Sequence, residues 1–211
     1  MSSTLNRVSR YVLQDNQFSQ LGAPWAAASP YAAISSTLLQ LEHHFGMNES
    51  HADIVERRCM VNGSVDMHLA GPFIYAKALF HLSQSLLHHP FLMQQRLQRL
   101  KQRPPPSFAR LAWQICRTHA NSLTDLEDIK NHNVHCLTSF YGYCTMIAST
   151  IHVIAMNDEN PTVREESKRN HQIALECLRE LSCYWKHAAL MEKFLCIDSP
   201  VCSSLTHLIG Q

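Results

Sequence analysis

The sequence predicts an all-α protein, an irregular helical bundle or array of about six or seven helices. Apolar residues recur at three- and four-residue intervals along several long stretches. Proline, glycine and N-cap residues punctuate those stretches at helical lengths. Sustained strand alternation, a glycine-rich phosphate loop and a solenoid-length repeat are all lacking. With 211 residues and 45% apolar content, the chain is long enough for one well-filled core and too apolar for disorder. Lys and Arg number 18 against 17 Asp and Glu, a formal charge of +1. No basic field exists to hold phosphates, which argues against this chain being the part of a protein that grips DNA.

Taken in order, residues 1–23 read as a polar segment in which Val8, Tyr11, Val12 and Phe18 form a short helix ended by Gly22 and Pro24. Ser29-Pro30-Tyr31 is an N-cap followed by proline at the first helical position. Ile34, Leu38, Leu41 and Phe45 then mark one face of a helix closed by Gly46. Residues 46–70 read as a solvated connection, with a turn at Asn62-Gly63-Ser64.

The stretch Gly71–Leu92 is the strongest helix signal. Gly71 is expected just outside it and Pro72 at its first position. Leu79, Leu82, Leu86 and His89 share one face, and Phe73, Ala76, Phe80 and Leu87 widen it until little polar surface is left. Such a helix is buried on most of its circumference. Pro90 ends it, and Phe91 and Leu92 anchor the turn. Met93–Arg103 is a basic amphipathic extension stopped by Pro104-Pro105-Pro106. Ser107 is placed to cap the next helix, whose face carries Phe108, Leu111, Ile115 and Leu123, widened by Trp113 and Cys116.

Asn131–Met156 is the second strongly apolar helix, with Leu137, Tyr141, Cys144, Ala148, Ile151 and Ala155 on one face. Asn160-Pro161 opens another, with Glu165 and Glu166 near its positive end and Ala174, Leu178, Leu181, Trp185 and Ala188 along its stripe. Leu205, Leu208 and Ile209 form a last short helix after Pro200. The apolar run Met146–Met156 is too short to span a bilayer, and the first residues hold no hydrophobic signal core. An intracellular protein with free, buried thiols follows from these features.

Fourteen histidines and eight cysteines raise the question of a metal. The best local set is His132, His135 and Cys136, on one face at i, i+3 and i+4. No HExxH or paired CxxC supports it, and a helix start beside a buried thiol explains it more simply. His43-His44 and His88-His89 are adjacent pairs that point to different faces rather than to one ion. His88 and His89 are expected to hydrogen-bond the end of their helix, where imidazolium is favoured. A binuclear zinc cluster needs six thiolates in a compact CxxC-based pattern, whereas the closest spacings here are Cys177-x5-Cys183 and Cys196-x5-Cys202. Arg96, Arg99, Lys101 and Arg103 form a basic run that reads as a solvated helix face, with a nuclear import signal as the functional alternative. No Ser, Cys or Thr stands in a nucleophile motif. No catalytic residue, metal ligand or cofactor is assigned, and no enzyme activity is expected.

Gly71-Pro72-Phe73-Ile74-Tyr75 and Leu86-Leu87-His88-His89-Pro90-Phe91-Leu92 resemble the helix and following turn of the regulatory (middle homology) domain of fungal zinc-cluster transcription factors. The Pro24-Trp25 segment with its following helix, and Ser139-Phe140-Tyr141-Gly142-Tyr143-Cys144, are similar to the same family, where small residues let helices approach closely. The resemblance implies that residues 24–211 are that α-helical regulatory domain, its C-terminal part, lacking the DNA-binding zinc cluster. It further implies a nuclear protein that modulates transcription through protein contacts with a DNA-binding factor or the transcription machinery, with an interhelical effector pocket and with homodimerisation among its options. A helical adaptor outside transcription is the first alternative, and a metal-dependent enzyme using His132 and Cys136 the second.

Overall fold

The computed structural model describes residues 1–13, 22–47, 49–100, 103–125 and 138–196, the side chains of His51, Arg99 and Leu100 excepted. The fold is all-α. Among the described residues nine helices occur: α1 Ser2–Leu13, α2 Pro30–Phe45, α3 His51–Arg58, α4 Met67–Leu87, α5 Pro90–Leu100, α6 Pro106–Thr124, α7 Ser139–Ala155, α8 Pro161–Ser182 and α9 Lys186–Leu195. One two-stranded antiparallel hairpin, β1 Met60–Val61 and β2 Ser64–Val65, lies between α3 and α4.

Helix α4 is the axis of the array and packs against α1, α2, α3, α5, α6 and α7. Every residue from Lys77 to Leu87 is buried, so its second half has no solvent face at all. Phe80, Leu82, Leu86 and Leu87 join Val8, Leu38, Cys116, Ala120, Cys144 and Ile151 in one core. Removing those side chains from water is the main stabilising term, on the order of 1.5–3 kcal/mol each. A second cluster, Leu175, Leu178, Leu181, Ala188 and Leu195, seals α8 and α9 against Met146 of α7.

The start of α4 differs from the sequence expectation. Asp66, not Gly71, is the N-cap, and its carboxylate accepts from the His68 N–H at 2.8 Å. The hairpin explains this. Asn62 and Gly63 both take positive φ, 52° and 80°, which a tight two-residue turn requires. The returning strand lets the Asp66 N–H donate to Cys59 O at 2.7 Å, and the helix begins there. Pro72 therefore sits within the second turn, where it removes only the bond to the His68 carbonyl. Residues 46–70 are likewise no mere connection, since Ser50 caps α3 by accepting from Asp53 N–H at 3.0 Å.

Other starts follow their residues. Ser29 accepts from Ala32 N–H at 3.1 Å and donates to Pro24 O at 2.8 Å, with Pro30 at the first helical position. Asn160 accepts from Thr162 N–H at 3.0 Å, with Pro161 in the same role. Gly46 closes α2 in the left-handed region at φ 61°. Helix α6, by contrast, starts at Pro106 without a side-chain cap. Pro105 holds the extended conformation before it, which leaves Ser107 inside the first turn. The stripe expected to run through Trp185 and Ala188 breaks at Cys183. Ala188 is buried on α9, and Trp185 is 41% exposed.

Residues 1–23 are also more than a polar segment. Thr4, Val8 and Tyr11 of α1 are buried, and α1 packs along α4. Arg96 of α5 donates to Tyr11 O at 2.8 Å with its guanidinium 3.8 Å from the ring centroid. An aromatic line, Tyr11 to Tyr31 to Phe108 to Trp25, ties α1, α2 and α6 to the end of α4. Phe18, Leu137, Leu205, Leu208 and Ile209 lie outside the described residues. No helix among the described residues is long and apolar enough to cross a membrane.

Candidate functional site

Between the α2–α3 turn and α6 lies a cavity of about 560 Å³, within the range that holds small ligands. Glu42 stands on the last turn of α2, and Glu49 and Ser50 sit just before α3. Helix α6 contributes one stripe, Leu111, Gln114, Ile115, Thr118 and Ser122, and Asp125 closes that wall. His81 of α4 and His119 of α6 line it as well.

Two features position the near rim. Gly46 turns the chain sharply after α2, and the Lys77 ammonium then donates to the carbonyl oxygens of Met47, at 2.9 Å, and Glu49. Lys77 is buried on α4, and burial pulls its ammonium down to about 8 against the opposing charge of Glu49. The Glu49 carboxylate is met by Arg57 at 2.9 Å and Arg58 at 3.8 Å.

The wall is chemically unusual. His81 Nδ1 and His119 Nδ1 are 2.8 Å apart, so one ring donates its proton and the other accepts it. Whichever donates at Nδ1 presents a bare Nε2, and its partner carries Nε2–H. Burial, with His88 nearby, pulls the His119 imidazole down to about 4, so the pair is neutral at physiological pH. Phe80 lies edge-on to the His119 ring, at 5.4 Å between centroids, and fixes its plane.

The other buried histidines serve the core. His88 Nδ1 donates to Gln84 O at 2.8 Å, as expected for a helix end, but the ring is neutral. Burial pulls it down to about 4 despite that bond, so the expected imidazolium is corrected. His89 reaches α7 instead of its own helix. Thr150 spends its hydroxyl proton on Ile147 O, so His89 Nε2–H donates to Thr150 Oγ1 at 3.1 Å. In the same way Thr124 donates to Ala120 O and accepts from His152 Nε2–H at 2.8 Å. Burial holds His89 at about 4 and, helped by His171, His152 at about 3. Ser149 Oγ and His171 Nδ1, 2.6 Å apart, have the form of a nucleophile–base pair, but Ser149 is 0% and His171 2% exposed. No substrate reaches them.

His132, His135 and Cys136, the best metal candidates in the sequence, lie outside the described residues, as do Lys101 and Cys202. Among the described residues no group of three or more His, Cys, Asp or Glu side chains is arranged to hold a metal ion. Cys59, Cys116, Cys144, Cys177, Cys183 and Cys196 are free thiols, the first four buried. Of the basic run, Arg96 is committed to Tyr11 rather than to solvent. His43 and His44 are exposed side by side, with ring centroids 5.6 Å apart.

His81 and His119 went unnoticed in the sequence because each sits alone in an apolar stretch. The available signal was a polar residue on the inward face of two helices: His81 between Phe80 and Leu82, and His119 three residues after Cys116. The fold defines a class, a helical array with a ligand-sized interhelical cavity. Comparison with protein-family models, curated proteins and solved structures returned no match for this chain.

Proposed function

We propose that this chain is a regulatory domain of the fungal zinc-cluster transcription factor type, acting in the nucleus through protein contacts and an effector held between its helices. The observation that carries the reading is the α4–turn–α5 unit. The residues that resemble the family, Gly71–Tyr75 and Leu86–Leu92, begin and end the helix around which the array is built. The cavity beside α4 supplies room for an effector, and its walls come from elements that an occupant could shift relative to one another. No chemical step is assigned: the buried imidazoles are neutral and engaged with other core groups. DNA contact is assigned to a separate module or partner, in keeping with a net charge of +1.

The test is a reporter assay in fungal cells with the full chain tethered to a heterologous DNA-binding module, paired with imaging of the tagged chain. Nuclear accumulation and a change in reporter output of severalfold are expected. Exclusion from nuclei under every growth condition, with an unresponsive reporter, would favour an adaptor role outside transcription.

A further inference from the structure

We propose that the cavity between the α2–α3 turn and α6 takes a small organic cation, an amine that carries a second hydrogen-bonding group. The proposal rests on the regulatory reading above, because it names the chemical class of the effector. Three carboxylates, Glu42, Glu49 and Asp125, stand around the cavity, and no Lys or Arg side chain lines it. An anion would meet only like charge there. A purely apolar ligand would desolvate carboxylates without compensation, a cost of several kcal/mol. A cation gains from the same field, all the more in a recess partly closed to water.

The second group of the ligand is set by the imidazoles. His81 and His119 are 3% and 8% exposed, yet both line the cavity. Their shared Nδ1 proton leaves one Nε2 a donor and the other an acceptor, and exchanging the proton reverses the two. A wall of this kind suits a neutral hydroxyl or amine, which both gives and takes a hydrogen bond. Leu111 and Ile115 supply apolar contact for a short carbon chain between the two ends. Thr118 and Ser122 add hydroxyls on the α6 side. The Lys77 clamp on the Met47 and Glu49 carbonyls holds the facing rim before any ligand arrives, so little ordering cost falls on binding.

The experiment is thermal denaturation and titration calorimetry of the full chain at pH 7.5 with 1,4-diaminobutane. 1,4-Butanediol, succinate and zinc chloride are run in parallel. A saturable rise in melting temperature with the diamine alone is expected, about 5–10 °C at a hundredfold excess over Kd. Glu42→Gln and Asp125→Asn should each weaken binding at least tenfold. Thr118→Arg, which delivers the chain's own guanidinium to the cavity from an exposed position, should abolish it with the unliganded melting temperature unchanged. The proposal is overturned by no rise with the diamine, by an equal rise with the diol, succinate or zinc, or by undiminished binding in Thr118→Arg. If the diamine fails while the tethered chain still drives the reporter, the ligand class is wrong and the regulatory reading stands. Binding by a chain that never enters nuclei supports the ligand class and sinks the regulatory reading.

Discussion

The His81–His119 contact and the Ser149–His171 contact are both short, both buried and both made between helices. Their surroundings differ. The first borders a cavity of about 560 Å³, whereas the second is shut between α7 and α8. Gly142 shows how tight that seal is. A Cβ placed there would already touch Leu181 Cδ1 at 3.4 Å and Leu178 Cδ2 at 3.8 Å. Residue chemistry is therefore a poor guide to function in this protein. A serine beside a histidine looks catalytic on paper and is cement, while a pair of imidazoles without a nucleophile lines the space a ligand would enter. Access decides between them.

Acid should erase the comparison altogether. His88, His89 and His119 are held near 4 and His152 near 3, while His171 is lowered by burial. Unfolded, each returns to about 6.5, so between roughly pH 6.5 and 4 the unfolded chain binds more protons than the folded one. Above 6.5 the histidines cost nothing. As pH falls through that window, each of the three held near 4 penalises the fold by up to about 3 kcal/mol, and together they rival the 5–15 kcal/mol of a typical domain. Circular dichroism from pH 7.5 to 4 should record a steep loss of melting temperature and then unfolding. An unchanged melting temperature at pH 4.5 would contradict the burial of these rings.

Leu86→Asp tests the axis common to both sites. Leu86 is 2% exposed, so the change buries an unpaired charge and should cost about 3–5 kcal/mol, a fall of about 10 °C. A variant that melts like the parent would place α4 at the surface. Ser149→Ala probes the sealed pair alone. It strands the His171 ring in a dry site and should cost about 1–3 kcal/mol by denaturant titration, with diamine binding untouched. Thr118→Arg probes the open one. It should alter stability by less than about 0.5 kcal/mol while removing diamine binding. Were Ser149→Ala to weaken binding, or Thr118→Arg to unfold the chain, the two regions would not be separable as described.

The sequence made the scaffold legible where local chemistry decides. Ser29-Pro30, Asn160-Pro161 and Gly46 act as their residue types require, and Tyr141, Cys144, Ala148, Ile151 and Ala155 form the inward face that their spacing indicates. It was less legible where distant parts decide. The start of α4 depends on a hairpin bringing Asp66 to Cys59 O, and the charge of His88 depends on what covers it. The cavity gives the clearest case. Leu111 and Ile115 read as a buried stripe, yet Leu111 is 57% exposed and both side chains line the cavity. The inward face of α6 instead runs through Ala112, Cys116, His119 and Leu123. Periodicity reports that a helix has an apolar side. It says nothing of whether a neighbour fills the space opposite.

The claim on which the account turns is that the core histidines are neutral struts around α4. Nitrogen-15 NMR of the imidazole rings, followed from pH 7.5 downward, tests it most directly. His88, His89 and His152 should keep the signature of neutral rings for as long as folded signals persist, and lose it only together with the fold. Half-protonation of any of the three near pH 6.5 in a protein that is still folded would contradict it.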